Sequence, residues 1–290
     1  MRSLFLTCLL MASAVHAAEV FAPGVYYNGS EYVGWYDYNK NEADLSFGTV
    51  YGMCWAAASS NVIAWWQDQN KDLLTSSTAA SVVNKNLYGS KVWTTFQGVF
   101  KDEGGWTKEG INWWINGGNT LDGYKDYDMY DKSNGLGALE SGGFLNLVYN
   151  TNENPILVAS NSNDSYAFAR SIVDAIASGY ALTLSVGGYS AHAFTLWGVE
   201  YNETDNGIEL TKAWITDSDD GKDELIGAGI SFKESTISLV GIPSYDNADF
   251  TFDSVSGMRT ARTVESVPEP AGATLSLLAL AGLAVRRRRR

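Results

Sequence analysis

Among the side chains that could serve as nucleophile or base, one thiol and one imidazole stand apart. The 290 residues contain two cysteines, Cys8 and Cys54, and two histidines, His16 and His192. Residues 1–18 read as a secretory leader. Arg2 gives it a positive start, residues 4–14 form an apolar run too short to cross a bilayer, and small residues surround Ala17 and Ala18. Cleavage there leaves Cys54 and His192. A lone cysteine in an exported chain is either a small buried hydrophobe or a reactive thiol. One Cys and one His cannot build a structural zinc site, but they suffice for a thiolate–imidazolium pair.

The elements that must position these two residues can be read from periodicity. A helix is expected to start at Cys54. Ala56, Ala57, Ala58, Val62, Ile63, Trp65 and Trp66 give it a broad apolar face, and alanine favours helix intrinsically. Cys54 would then sit where unpaired N–H groups and the helix dipole stabilise a thiolate. A free thiol titrates near ~8.5, and a helix N-terminus or a neighbouring imidazolium lowers that. A second helix is expected over residues 107–116 with Thr107 as its cap, and a third over 169–178. Strand-like pieces are expected at 144–149 and 156–160. Strands follow at 181–186, 191–201, 208–216 and 237–242, the first two joined by a Gly/Ser turn. Helices first and antiparallel strands later make an α+β chain, with the helix that bears the thiol packed on an antiparallel sheet.

This order also supplies a carboxylate. If the strands at 191–201 and 208–216 pair through a turn near 202–207, Asp217 returns beside His192, where it can fix the imidazole tautomer and stabilise the imidazolium. Acyl transfer further needs oxyanion donors. The backbone N–H of Cys54 is one; local sequence supplies no second, and residues 47–53 lack the glutamine that papain-like enzymes place there.

Both ends bear on location. Val267-Pro268-Glu269-Pro270 leads into an apolar run over residues 271–285, and five arginines close the chain. An apolar run before a basic cluster holds in a membrane with its basic end cytoplasmic. The three parts resemble a PEP-CTERM sorting signal, which implies a bacterial surface or extracellular matrix. It also implies signal peptidase and exosortase as processing partners, and membrane contact only until residues 267–290 are removed. Residues 19–245 form the expected domain and 246–266, polar and aperiodic, the expected linker. The net charge of −13 disfavours nucleic acid and anionic lipid as partners. With 45% hydrophobic residues and only 18% charged, the chain has material for a core.

The chain resembles the IgG-degrading cysteine endopeptidases of the IdeS/Mac type, a papain-like family, in five segments that fall in the family's order. These are Gly34-Trp35-Tyr36-Asp37; Cys54 onward, with Trp65-Trp66 followed by Asp68-Gln69-Asn70-Lys71; Ile115-Asn116-Gly117; His192 with Leu196-Trp197-Gly198; and Thr216-Asp217-Ser218-Asp219. They span about residues 32–242. The resemblance implies a papain-like fold and secreted cysteine endopeptidase activity on extracellular protein, with immunoglobulin G as a candidate substrate. By the same resemblance Cys54 is the nucleophile, His192 the base and Asp217 its orienting partner. Lys40 serves the oxyanion hole together with Cys54, and Asp219 holds that lysine. The stretch between Lys40 and Cys54 is longer here than in the family.

Three other readings compete with this one. The acidic run from Asp217 does not fit a calcium-binding EF-hand loop, because its glycine comes fifth rather than sixth and no glutamate stands twelfth. No metal or cofactor is therefore expected. Paired tryptophans at 65–66 and 113–114 read as core rather than as a carbohydrate platform, since neighbours on a helix point about 100° apart. A catalytically silent, surface-displayed binding module on the same fold is the remaining alternative; fast alkylation of Cys54 would separate an enzyme from it.

Overall fold

The helix that begins at Cys54 is the most deeply buried helix among the described residues. The computed structural model describes residues 17–40, 51–75, 89–117, 130 and 139–260. In it α1 spans Cys54–Gln69, and its residues from Trp55 to Gln67 are all buried. Helices α2 (Lys71–Thr75), α3 (Ser90–Val99), α4 (Thr107–Asn116) and α5 (Ser165–Ala177) follow. The tryptophan pairs are core, as their spacing predicts. Trp65, Trp66, Trp113 and Trp114 are buried with Trp55, Trp93 and Phe96 in one cluster around α1. The ring N–H groups of Trp65, Trp66 and Trp113 donate to the backbone carbonyls of Pro23, Arg259 and Glu140, whereas those of Trp93 and Trp114 meet no acceptor among the described residues. Glycine at 110 lets α4 come close to α1, since a Cβ there would meet Ser59 and the Trp55 ring at 2.9 Å.

The second half is an antiparallel sheet that closes on itself. Strands β5 (Tyr180–Gly188), β6 (His192–Thr204), β7 (Gly207–Thr216), β8 (Ile226–Lys233), β9 (Thr236–Val240) and β10 (Phe250–Arg259) form the ring in the order β6-β5-β10-β9-β8-β7, and β7 pairs back onto β6. Strand β1 (Ala18–Phe21) extends the sheet along the far half of β6, and β4 (Leu157–Ser160) pairs with β10. A small ribbon of β2 (Tyr26–Tyr27) and β3 (Tyr32–Val33) stands apart. Alternation along β5 and β6 divides the two cores. Leu182, Leu184, Phe194 and Leu196 fill the barrel, whereas Ala181 and Trp197 belong to the helical cluster. The chain is thus α+β, with a helical layer packed on a closed antiparallel barrel.

Several expected boundaries differ. Residues 246–266 were expected to be a linker, yet Phe250–Arg259 is a full strand between β5 and its neighbours β9 and β4. A register shift between Phe252 and Ser254 explains the missing pattern. Phe250 and Phe252 face the barrel before it and Val255 after it, so apolar residues change parity in mid-strand. Residues 144–149 form turns, not a strand: Tyr149 and Val148 donate to the Leu145 carbonyl at 2.9 and 3.0 Å. Thr107 is the first residue of α4 and not its cap; that place falls to Trp106. Helix α5 starts four residues before the expected position, where Asp164 accepts from the Ala167 N–H at 3.0 Å. Strand β1 begins at Ala18, the last residue of the expected leader. Residues 1–16, the stretch 41–50 and the tail 267–290 lie outside the described residues. Among those described, no helix is long and apolar enough to cross a membrane.

Candidate active site

Cys54 opens α1, and Met53 at the N-cap position supplies no side-chain cap to the first turn. The approach to it is rigid. The Asp102 carboxylate accepts the N–H groups of Tyr51 at 2.8 Å and Gly52 at 2.6 Å. Residue 52 must be glycine, because a Cβ there would lie 2.8 Å from the Glu103 backbone. The Trp55 ring N–H donates to the Glu103 carbonyl at 2.9 Å, which ties the first turn of α1 to the same segment.

His192 is the first residue of β6 and is buried among aromatic rings. Phe194 lies 4.6 Å away, Tyr245 6.1 Å and Phe250 6.2 Å, centroid to centroid. Asp217 directly follows β7. The register pairs Thr195 with Thr216, and this brings the fully buried Asp217 carboxylate to 3.0 Å from His192 Nε2. An ionised carboxylate only accepts, so Nε2 carries the proton. Nδ1 is then the nitrogen left for Cys54, whose thiol is within hydrogen-bonding reach of the imidazole.

The electrostatics favour the charged pair. Burial alone would raise the Cys54 thiol. The His192 hydrogen bond and charge, the Lys40 ammonium and the Ala193 N–H outweigh it and hold the thiol below its ordinary value. Burial alone would lower His192, but the Asp217 hydrogen bond and the contact with Cys54 outweigh it and push the imidazole up to about 9.

Lys40 is brought to the same place and is 3% exposed. Its backbone N–H donates to the Ser218 carbonyl at 2.9 Å. Its ammonium donates to the Tyr51 carbonyl at 2.8 Å and forms an ion pair with Asp219. Asp219 is one-third exposed, and its other oxygen lies 3.9 Å from His192 Nδ1. Its backbone N–H donates to Asp217 Oδ1 at 3.0 Å. The five residues singled out in the sequence, Lys40, Cys54, His192, Asp217 and Asp219, therefore meet. His192, Asp217 and Asp219 offer a nitrogen and two oxygens within 4.8 Å of one another, a spacing a metal ion could bridge. The ammonium on Asp219 and the direct contact of Nε2 with Asp217 already balance those charges.

Two contributors were not legible in the sequence. Tyr245 donates its hydroxyl to Asp219 at 3.4 Å, and burial with the Asp217 and Asp219 charges raises its phenol. It lies in an irregular stretch with no local signal. Asn61, buried in mid-α1, accepts the Tyr38 N–H at 2.9 Å and donates to Thr195 at 2.9 Å. Thr216 in turn donates to the Tyr36 carbonyl at 3.1 Å and accepts from the Trp197 ring at the same distance. This network ties α1 to the segment before Lys40 and to the residue before Asp217. An asparagine in mid-helix among apolar residues is the signal that could have found it, since a buried amide requires partners.

Sequence comparisons accord with this geometry. A family model described as Mac 1 matches residues 25–88, a span that holds both Lys40 and Cys54. The IgM protease of Streptococcus suis (strain P1/7) is 26% identical over 222 residues, which is 66% of this chain and 18% of that protein. The chain thus spans under a fifth of the length of the curated relative it matches.

Proposed function

We propose that this protein is an exported cysteine endopeptidase of papain-like fold, with Cys54 as nucleophile, His192 as general base and acid, and Asp217 as the residue that orients the imidazole. The observation that carries this reading is the contact from Cys54 through His192 to the buried Asp217 carboxylate, with the Lys40 ammonium beside it.

In this reading the Cys54 thiolate attacks the scissile carbonyl. Negative charge builds on the carbonyl oxygen, where the Cys54 N–H and the Lys40 ammonium stabilise it. The imidazolium of His192 then protonates the departing amine, and an acyl-enzyme remains on sulfur. A water deprotonated by His192 attacks that thioester, the acid leaves, and the thiolate–imidazolium pair returns. Asp217 keeps Nε2 protonated throughout, so Nδ1 stays the nitrogen that exchanges protons with substrate.

The substrate class is extracellular protein. Similarity to a protein named IgM protease makes immunoglobulin the first candidate. Residues 1–18 serve as leader and 267–290 as a sorting tail in the same reading, which places the mature chain at a bacterial surface. Proteomic cleavage assays with immunoglobulins M and G among the substrates test the activity. Wild-type protein should cut, and Cys54→Ala should not while keeping its melting temperature within a few degrees. Equal cleavage by both proteins would overturn the assignment of the nucleophile.

A further inference from the structure

The segment that carries Lys40 and the loop that carries Asp217 and Asp219 meet a second time, through Asp37, Asn39 and Asp220. The rings of Tyr36 and Tyr38 lie 6.4 Å apart on one side of the strand-like lead segment. Asp37 and Asn39 alternate with them, which puts these two on the opposite side. Asn39, 1% exposed, donates its amide N–H to the Lys222 carbonyl at 2.7 Å, which seats it against the acidic loop. Its amide oxygen has no hydrogen-bond partner among the described residues. The same holds for both oxygens of Asp37 and for Oδ2 of Asp220, all of them closed off from solvent. The Glu224 amide approaches the Asp37 carboxyl without closing a hydrogen bond. Asp220 uses its other oxygen to accept the Lys222 N–H at 2.9 Å.

Asp37 and Asp220 act on one another electrostatically, and buried oxygens with no closed hydrogen bond are disfavoured unless a proton or a cation joins them. The surrounding groups supply little positive charge, since only Lys222 acts favourably on Asp220. Besides Asp220, the charges that act on Asp37 are Asp223 and Asp217, all negative. Lys222 turns outward to Glu224 at 3.1 Å, and Lys40 is taken by Asp219 and Tyr51. Burial first, then those acidic neighbours, push Asp37 up to about 9; burial first, then Asp217 and Glu224 against the opposing N–H and charge of Lys222, push Asp220 up to about 6.

We infer that Asp37, Asn39 and Asp220 form a calcium site that clamps the Lys40 segment to the Asp217–Asp219 loop. Two carboxylates and an amide carbonyl are hard oxygen donors. An irregular loop that can add backbone carbonyls and water suits the larger, less demanding shell of calcium better than the octahedron of magnesium. The site bridges two distant chain segments, and this is why the spacing of a single-loop EF-hand does not reveal it. It stands on these oxygens alone and does not depend on chemistry at Cys54, but it would place calcium in control of the two segments that bring Lys40, Asp217 and Asp219 together.

Calorimetric titration of the chelator-treated, full-length protein with calcium chloride tests the inference, with melting temperature read in parallel. We expect one ion per chain with a Kd on the order of 10⁻⁴–10⁻³ M, in the range of extracellular calcium modules, and a melting temperature that rises and saturates over the same concentrations. Asp37→Asn and Asp220→Asn should each weaken binding at least about tenfold, whereas Asp205→Asn in the exposed β6–β7 turn should not. Should either variant fail to fold, Asn39→Asp, which adds a charge at one ligand position, should tighten binding. No saturable heat and no shift in the wild type would overturn the site, as would unchanged affinity in a folded Asp37→Asn protein or an Asn39→Asp protein that binds no tighter. Alkylation of Cys54 in the same samples reads the proposed nucleophile separately, so the failure of one idea is distinguishable from the failure of the other.

Discussion

Replacing Lys40 with methionine removes a buried ammonium while keeping most of the stem's volume. In the proposed chemistry that ammonium stabilises charge that appears only in the transition state. Loss of one such donor costs on the order of 10²–10³ in turnover, or about 3–4 kcal/mol. A second effect acts in the same direction. Asp219 would lose its ion-pair partner while its other oxygen stays 3.9 Å from His192 Nδ1, where it competes with Cys54 for the imidazolium. Asp219→Asn should do less, because the Tyr51 carbonyl still holds the ammonium at 2.8 Å and the carboxylate is partly solvated. About tenfold is expected, which corresponds to about 1.4 kcal/mol. The assay is kcat/KM on a protein substrate for both single variants and the double variant. A unit that works together should give a double variant little worse than Lys40→Met. Iodoacetamide, which builds no oxyanion, should still alkylate Cys54 in all three within a few-fold of wild type. Losses that simply multiply, or a fully active Lys40→Met, would refute the pairing.

Two further outcomes are expected. Asn61→Leu strands the Tyr38 N–H and the Thr195 hydroxyl, so chemical denaturation should show a loss of about 1–3 kcal/mol, and an unchanged midpoint would contradict the network. The intact mass of the native, secreted protein should correspond to trimming at both ends; a mature chain that retains the arginines at 286–290 would contradict processing at the tail.

What was legible in the sequence follows from which signals are local. The start of α1 at Cys54 and both ends of α4 could be read because alanine, paired tryptophans and flanking glycines speak within a few residues. The β6–β7 hairpin was equally readable, and with it the return of Asp217 to His192, because alternation and a short turn set register without outside help. Strand β8 was missed because Gly227 and Gly229 dilute its pattern. Strand β10 was missed because its bulge reverses the parity of its apolar residues. Both depend on partners far away in sequence. Lys40 and Asp219 were accessible by resemblance alone, since an ion pair between residues so distant leaves no spacing to read. Tyr245, Asn39 and Asp37 belong to the same class: each acquires its partner or its neighbours only when the fold brings the loop after β7 against the β9–β10 connection or against the segment before α1.

The central claim is that Cys54 exists as a thiolate beside a protonated His192, and the pH dependence of its alkylation tests this most directly. The depressed thiol stays ionised until pH falls through its lowered pKa, and the imidazolium persists until pH rises through about 9. The rate with iodoacetamide should therefore level off at a lower pH than that of a free thiol and hold that level until about pH 9. A free thiol, titrating near ~8.5, climbs about tenfold per pH unit below that value. At pH 6 the protein should react faster than free cysteine, since the gain in thiolate fraction outweighs the lower nucleophilicity of a more acidic thiol. His192→Ala should abolish the plateau. A wild-type rate that follows the free-cysteine curve from pH 6 to 9 would contradict the account.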